Sequence, residues 1–271
     1  MIGRTVGTAV ARLRDGIARG LVRAGATPNM LTVAGLVFTL AAGVCLALGA
    51  GAPFGWTLDP GDLCHYQPNA WLLLAGILLL LCCAGDMLDG AVARIGGKST
   101  TFGAFLDSTL DRFSDFVIYF GIAFYFAARG NLTYALLPML AVFAALMISY
   151  TRARAEDLIQ FCTVGYWQRG ERMVAVLIAV IWQNVPMLLW HQALLPMLTV
   201  WARISYTRRV AAGQKPILDP RQSPRRLDKL KCWRYPRATV PYDLITIANM
   251  VVLAFVRIPA EPDPVRQLLG L

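Results

Sequence analysis

Twenty consecutive residues, Leu31 to Ala50, carry no charge. An α-helix rises ~1.5 Å per residue and the hydrocarbon layer of a bilayer is ~30 Å thick, so about twenty apolar residues cross it. Similar runs follow at Ala70 to Gly85, Phe116 to Ala128, Leu132 to Tyr150, Met173 to Trp190 and Gln192 to Ala202. Several reach spanning length only if the helix continues into its charged end. With 57% hydrophobic and 15% charged residues over 271, the chain lacks the charge to coat a soluble globule of its size. The reading is an all-α integral membrane protein.

The spacing predicts an N-terminal amphipathic helix over residues 1–26, with Val6, Val10, Leu13, Ile17, Leu21 and Val22 on one face and arginines between them. Such a helix lies on a membrane surface with its arginines toward phosphates. Thr27-Pro28-Asn29 breaks it. Residues 27–210 then read as a unit of six spanning helices, at about 31–50, 69–94, 103–128, 132–154, 171–189 and 191–209. A turn lacking Lys and Arg falls at 183–191. Residues 211–271 read as a basic tail in which 244–256 forms a surface or re-entrant helix rather than a seventh span. Lys and Arg flank the N-terminus, the turn at Arg94 and Lys98, the stretch Arg152 to Arg172 and the tail. The positive-inside rule therefore puts both termini and the basic turns in the cytoplasm of a multi-pass cell-membrane protein.

The net charge of +10 lies beside apolar runs, which suits anionic lipid and phosphorylated substrates and argues against nucleic acid as a partner. The six cysteines form no CxxC pair, and the two histidines, His65 and His191, fall in predicted loops. Neither set outlines a zinc site, a disulfide framework or a His-based triad.

Acids inside a span need a reason, because charge in a bilayer is costly. Five cluster here: Asp86, Asp89, Asp107, Asp111 and Asp115. Asp86, Asp89, Ala93 and Arg94 share one helical face, and Gly103, Asp107 and Asp111 share a face of the next helix. The turn Gly96-Gly97-Lys98-Ser99 folds the two antiparallel, so two carboxylate pairs confront each other. Four carboxylates so close need cations between them. Oxygen ligands without His or Cys select Mg²⁺, Mn²⁺ or Ca²⁺, and a two-metal clamp suits displacement at phosphorus. Gly90, Ala93 and Gly103 remove side chains where a large substrate would approach, and Arg94 offers a planar fork for a diphosphate. Asp115, one turn deeper, reads as a hydrogen-bonding support.

The run Asp86-Met-Leu-Asp89-Gly90-Ala-Val-Ala93-Arg94, eight residues, Gly103, three, Asp107, three, Asp111 is similar at every specified position to the motif of the CDP-alcohol phosphotransferase family. The resemblance covers roughly residues 1–210. It implies that a phosphatidyl-type group passes from a CDP-linked lipid to a small alcohol with release of CMP. It also implies two Mg²⁺ or Mn²⁺ ions per subunit on Asp86, Asp89, Asp107 and Asp111, with Asp111 also taking the proton of the acceptor hydroxyl. Thr27, Pro28, Asn29, Met30, Gly90, Ala93, Arg94 and Thr100 would line the CDP-lipid, and the family is usually homodimeric. Ser149-Tyr-Thr-Arg152-Ala-Arg154-Ala-Glu156 and Arg169-Gly-Glu171-Arg172 resemble the branch that makes phosphatidylinositol phosphate or its archaeal ether-lipid counterpart. Arg152, Arg154, Arg169 and Arg172 would then hold a phosphate on the acceptor, inositol phosphate first, with glycerol phosphate or another polyol as the alternative. Arg152 and Arg169-Gly170 depart from the Lys and Arg-Pro often found in that branch.

An ion or proton transporter is the rival class, but transporters usually place acids near the midplane between inverted repeats. Here the acids sit at one edge and the sequence has no internal repeat. The reading makes a direct prediction. Asp86→Asn or Asp107→Asn abolishes CMP release, and EDTA does so reversibly. Asp111→Asn keeps CDP-lipid binding within about tenfold while turnover falls by at least ~10², as removal of a general base requires. Full activity of the first two variants at saturating Mg²⁺ contradicts the two-metal reading.

Overall fold

The computed structural model describes residues 2–50, 69–214, 240–258, 260 and 263–270. Nine helices order the described chain: α1 (Ile2–Arg23), α2 (Pro28–Gly49), α3 (Ala70–Ile95), α4 (Thr101–Ala127), α5 (Leu132–Glu156), α6 (Arg169–Ile181), α7 (Val185–Ala211), α8 (Val240–Phe255) and α9 (Pro264–Leu269). No strand occurs among the described residues. Four helices, α2, α3, α5 and α7, are long and apolar enough to cross a membrane. Their outward faces suit lipid: on α2 the exposed residues Val33, Val37, Leu40, Val44 and Leu48 recur at helical spacing. α4 is as long, at 27 residues, but carries Asp107, Asp111, Arg112 and Asp115 within about its first four turns.

The helix boundaries follow local chemistry. Thr27 caps α2, its hydroxyl accepting from the Met30 N–H at 3.3 Å with Pro28 in the first turn. Thr100 caps α4, accepting from Gly103 N–H at 2.9 Å. The expected span 171–189 is corrected. α6 ends at Ile181 after 13 residues, about 20 Å at ~1.5 Å per residue. Gln183 then takes a left-handed φ of 56°. Pro186 lacks an N–H, which is best tolerated in a helix's first turn, so the chain restarts as α7 at Val185. The turn is therefore 182–184, not 183–191. His191, expected in a loop, is buried within α7 with its Nε2 2.7 Å from Asn249 Oδ1. His65 lies outside the described residues.

The core joins α2, α3, α4, α5, α6 and α7 through Leu46, Leu72, Leu79, Ile118, Ile122, Tyr134, Ala179, Leu188 and Leu189, each at most 1% exposed. α2 and α4 approach closely: a Cβ on Gly121 would stand 2.3 Å from the Gly43 carbonyl oxygen, and one on Gly43 2.6 Å from Val117 Cγ1. α1 packs on α3 through Ala18, Leu21 and Val22 against Ala91 and Val92. Arg203 is a buried tie. It donates to the Val164 carbonyl at 3.2 Å and to the Ile148 carbonyl, joining α7 to α5 and to the loop before α6.

The tail segment at 215–239 lies outside the described residues, whereas α8 packs along α6 and its Leu253 enters the core. α9 docks at the start of α5. Asp263 accepts from the Leu132 N–H at 2.6 Å and from the Thr133 hydroxyl. Partial desolvation pushes that carboxyl up, but these donors and the Arg266 N–H outweigh it and hold its pKa at about 2.

The Gly43–Gly121 crossing sets how near α4 comes to α2. Gly121→Ala drives a methyl into backbone, which cannot yield as a side-chain end would, so the thermal midpoint in detergent falls by an amount corresponding to ~1–3 kcal/mol or more. An unchanged midpoint means the two helices do not cross there.

Candidate active site

The last turns of α3, the first half of α4, the start of α2 and the first turn of α6 meet at one end of the bundle. Thr32, one turn into α2, places its hydroxyl 3.1 Å from Asp89 Oδ2 and 3.1 Å from the Pro28 carbonyl. Asp89 is buried, and its other oxygen accepts from the Gly90 N–H. Asp89 and Asp107 open onto a crevice of about 220 Å³ shared with Pro28, Asn29, Thr32, Gly90, Ala93, Thr100 and Gly103. Five of the eight positions expected to line a CDP-lipid are thus brought together around two of the expected ligands. The other three, Thr27, Met30 and Arg94, sit outside the crevice lining. Thr27 serves as the α2 cap, and Met30 and Arg94 are exposed.

The glycines divide. A Cβ on Gly103 would meet Thr100 Oγ1 at 3.0 Å and Asn29 Oδ1 at 3.4 Å, so its bareness brings the α2 and α4 starts together. A Cβ on Gly90 would meet nothing within 4 Å. Its missing side chain leaves room in the crevice rather than in the packing.

Asp86 and Asp111 face the other way. Arg169, first residue of α6, bridges them, donating from Nη1 to Asp86 Oδ2 and from Nη2 to Asp111 Oδ1 at 2.9 Å. Arg112 stands 3.6 Å from Asp111 Oδ2. One turn deeper Arg172 Nη2 donates to Asp115 Oδ2 at 2.8 Å, and both side chains are almost fully buried. Three guanidinium donors at this point, Arg169 Nε and Arg172 Nε and Nη1, are buried with no hydrogen-bond partner among the described residues.

The four expected acceptor arginines therefore separate. Arg169 and Arg172 lie on the carboxylates. Arg152 and Arg154 are exposed and pair along α5, with Glu156 at 3.0 Å and Asp157 at 2.8 Å. Glu156 supplies the expected counter-charge to Arg152, and Glu171 accepts from the Tyr242 hydroxyl at 2.6 Å. Among the described residues no three His, Cys, Asp or Glu side chains converge as a ready metal cage. The donor set still fits hard cations: four carboxylates less the guanidiniums of Arg169 and Arg112 leave two negative charges. Sequence reasoning did not single out Thr32 or Tyr242. For Thr32 a signal exists, because it lies four residues after Pro28 on the same helical face.

Residues 26–207 match the family model for CDP-alcohol phosphatidyltransferase, and the chain belongs to that family. It is a membrane enzyme of phospholipid synthesis, a transferase of substituted phosphate groups. The chain is 36% identical over 189 residues to an archaetidylinositol phosphate synthase of Pyrococcus horikoshii, covering 69% of this chain and 87% of the relative. It is 34% identical over 171 residues to a phosphatidylinositol phosphate synthase of Cutibacterium acnes, covering 63% and 73%. The crystal structure of the Mycobacterium tuberculosis phosphatidylinositol phosphate synthase with CDP-DAG bound superposes with a TM-score of 0.60 at 26% identity, over 77% of this chain and 99% of that one. The same synthase in complex with manganese and citrate gives 0.58.

Gly90 and Gly121 allow a paired test. Gly90→Ala does not lower the thermal midpoint, since its methyl displaces nothing and alanine suits a helix interior better than glycine, yet it raises the KM for the CDP-lipid at least ~tenfold by filling the crevice. An unchanged KM means the crevice is not where the nucleotide lipid sits.

Proposed function

We propose that this enzyme transfers the phosphatidyl group, or its ether-lipid equivalent, from a CDP-linked lipid to a phosphorylated alcohol, inositol phosphate foremost, and releases CMP. The observation that carries the phosphorylated acceptor is the set of unpartnered buried donors on Arg169 and Arg172 beside the aspartates. A buried donor without a partner costs ~1–3 kcal/mol, and a phosphate has the acceptor oxygens to satisfy several at once. Relatives named as phosphatidylinositol phosphate and archaetidylinositol phosphate synthases support the same class.

In this reading the nucleotide end of the lipid enters the crevice between α2, α3 and α4, where Gly90 and Gly103 admit it and Asn29 and Thr100 offer polar contacts. The acceptor's phosphate lies against Arg169 and Arg172, which aims its hydroxyl at the β-phosphorus. The acceptor oxygen–phosphorus bond forms as the bond to the CMP oxygen breaks, and Asp111 takes the hydroxyl proton. Asp86, Asp89, Asp107 and Asp111 would hold two Mg²⁺ or Mn²⁺ ions, which when bound neutralise the diphosphate. Thr32 keeps Asp89 oriented through its hydrogen bond. Arg152 and Arg154 form an outer basic rim that gathers anionic acceptors.

The same reading places α4 and α6 across the bilayer with α2, α3, α5 and α7, and lays α1 on the cytoplasmic surface beside the active site. It takes the enzyme as a homodimer in the cell membrane.

The deciding experiment measures CMP release by purified protein from CDP-diacylglycerol with Mg²⁺ and a panel of inositol phosphate, inositol and glycerol phosphate. Inositol phosphate is expected to be used best and inositol poorly. Removal of Arg172 alone strands a buried Asp115, so the test variant is Arg172→Gln with Asp115→Asn. Its acceptor KM rises roughly tenfold to a hundredfold, the worth of a charge-assisted bond, while the CDP-lipid KM stays within twofold. Equal use of inositol and inositol phosphate by the wild type contradicts the acceptor assignment.

A further inference from the structure

α8 and α9 lie beyond residue 207, where the family model ends. They are nonetheless built into the body, and their contacts trace a path from one end of the bundle to the other. At the start of α8, the Tyr242 hydroxyl donates to Glu171 Oε1 in the first turn of α6, two residues from Arg169 and adjacent to Arg172. Further along, Tyr166 donates to Thr246 at 2.9 Å, and Asn249 Oδ1 meets His191 Nε2. At its end, Asn184 in the turn between α6 and α7 donates to the carbonyls of Leu253 and Val256 at 2.7 and 2.8 Å. Then Asn131 donates to the Ala260 carbonyl at 2.7 Å, and Asp263 accepts from Leu132 and Thr133 at the start of α5. The α6–α7 turn and the α5 start belong to the pole opposite the aspartates, because α6 runs from Arg169 toward that turn and α5 runs from Leu132 toward Arg154.

The outward face of α8 decides between a surface and a crossing position. Leu244, Ile247, Val251 and Phe255 are all about half-exposed or more, at 61%, 57%, 49% and 60%. A helix lying in headgroups turns a polar face to water. This one turns an apolar stripe outward, while the polar groups of its inward side, Tyr242, Thr246 and Asn249, are hydrogen-bonded to protein, so no polar face is left for water. Leu244 to Val256 contains no charged residue, with Asp243 before it and Arg257 after it. Sixteen residues give ~24 Å, short of the usual hydrocarbon thickness, and a short span is accommodated by local thinning of the bilayer.

We propose that α8 crosses the membrane as a seventh helix, places the C-terminus on the face opposite the active site, and positions the arginine-bearing turn of α6 through the Tyr242–Glu171 hydrogen bond. This departs from the sequence expectation of two cytoplasmic termini. The enzymatic half rests on the proposed acceptor chemistry. Tyr242 is a positioning residue: it touches no substrate, and it fixes the turn from which Arg169 and Arg172 reach the carboxylates.

Two readouts separate the parts. With the full chain in a bacterial membrane, alkaline phosphatase fused after residue 271 is active and a fluorescent protein fused there is dark. After residue 214 the pattern reverses. Fluorescence at both points overturns the crossing, whatever the enzyme's substrates prove to be. In the CMP-release assay, Tyr242→Phe raises the KM for inositol phosphate about tenfold, as loss of a hydrogen bond to a charged group allows, with kcat and the CDP-lipid KM within about twofold. A KM unchanged in Tyr242→Phe, in a wild type that uses inositol phosphate, overturns the positioning role. A wild type that releases no CMP with inositol phosphate removes the acceptor reading instead, and the fusion result still decides the crossing.

Discussion

Arg169 is the point on which three helices agree. Its guanidinium reaches Asp86 on α3 and Asp111 on α4 from the first turn of α6. Two unit charges 4 Å apart interact by about 4 kcal/mol at the effective dielectric of a protein surface, so unscreened carboxylates would force α3 and α4 apart. Arg169 reverses that sign and draws the α6 start onto the pair. The neighbouring Arg172–Asp115 pair, more deeply buried, fixes the rotation of α6 one turn on. Breaking either side of such a pair leaves an uncompensated buried charge, which is far costlier than the pair is stabilising. The arrangement therefore specifies geometry more than it adds stability.

That geometry explains why the site lies at one pole of the bundle. The ion pairs of Asp86, Asp111 and Asp115 gather at the pole where Thr27 and Thr100 cap α2 and α4 and where Arg169 begins α6. The acids of α4 end at Asp115, and from Phe116 to Ala127 the helix carries no charge, a division that suits a helix whose charged part lies against partners. The cost of placing carboxylates here is offset by cations, and the same excess of negative charge suits the metal chemistry of this family.

Much of this was legible in the sequence. The aspartates of each helix recur at three- and four-residue spacing, which is a property of one helix and can be counted. The turn at Gly96-Gly97 then fixes which faces meet. What resisted reading were contacts across long separations. Thr32 meets Asp89 at a separation of 57 residues, and Arg169 meets Asp86 at 83. Nothing in local pattern marks such partners, and basic residues beside a span are ordinarily membrane flanks. The span limits also misled where apolar composition ran through a real break. Met173 to Trp190 is continuous in hydropathy, yet Gln183 and Pro186 divide it. The pairing of α8 with α6 was hidden for a further reason. Its polar anchors, Tyr242, Thr246 and Asn249, look like interruptions of a span until their partners are known.

The glycines carry the final distinction between fold and function. In the sequence Gly43, Gly90, Gly103 and Gly121 are alike, small residues in or beside spanning helices. Gly43 and Gly121 are demanded by the backbone of a neighbouring helix, and any side chain there strains the fold. Gly103 admits the α4 cap Thr100 and Asn29 of the first turn of α2, which is packing in the service of the crevice. Gly90 alone faces open space beside a buried Asp89 that accepts its N–H. A helix interior glycine costs ~0.5–1 kcal/mol relative to alanine. No internal packing offsets that cost at Gly90, and it borders the crevice into which the CDP-linked lipid is proposed to enter.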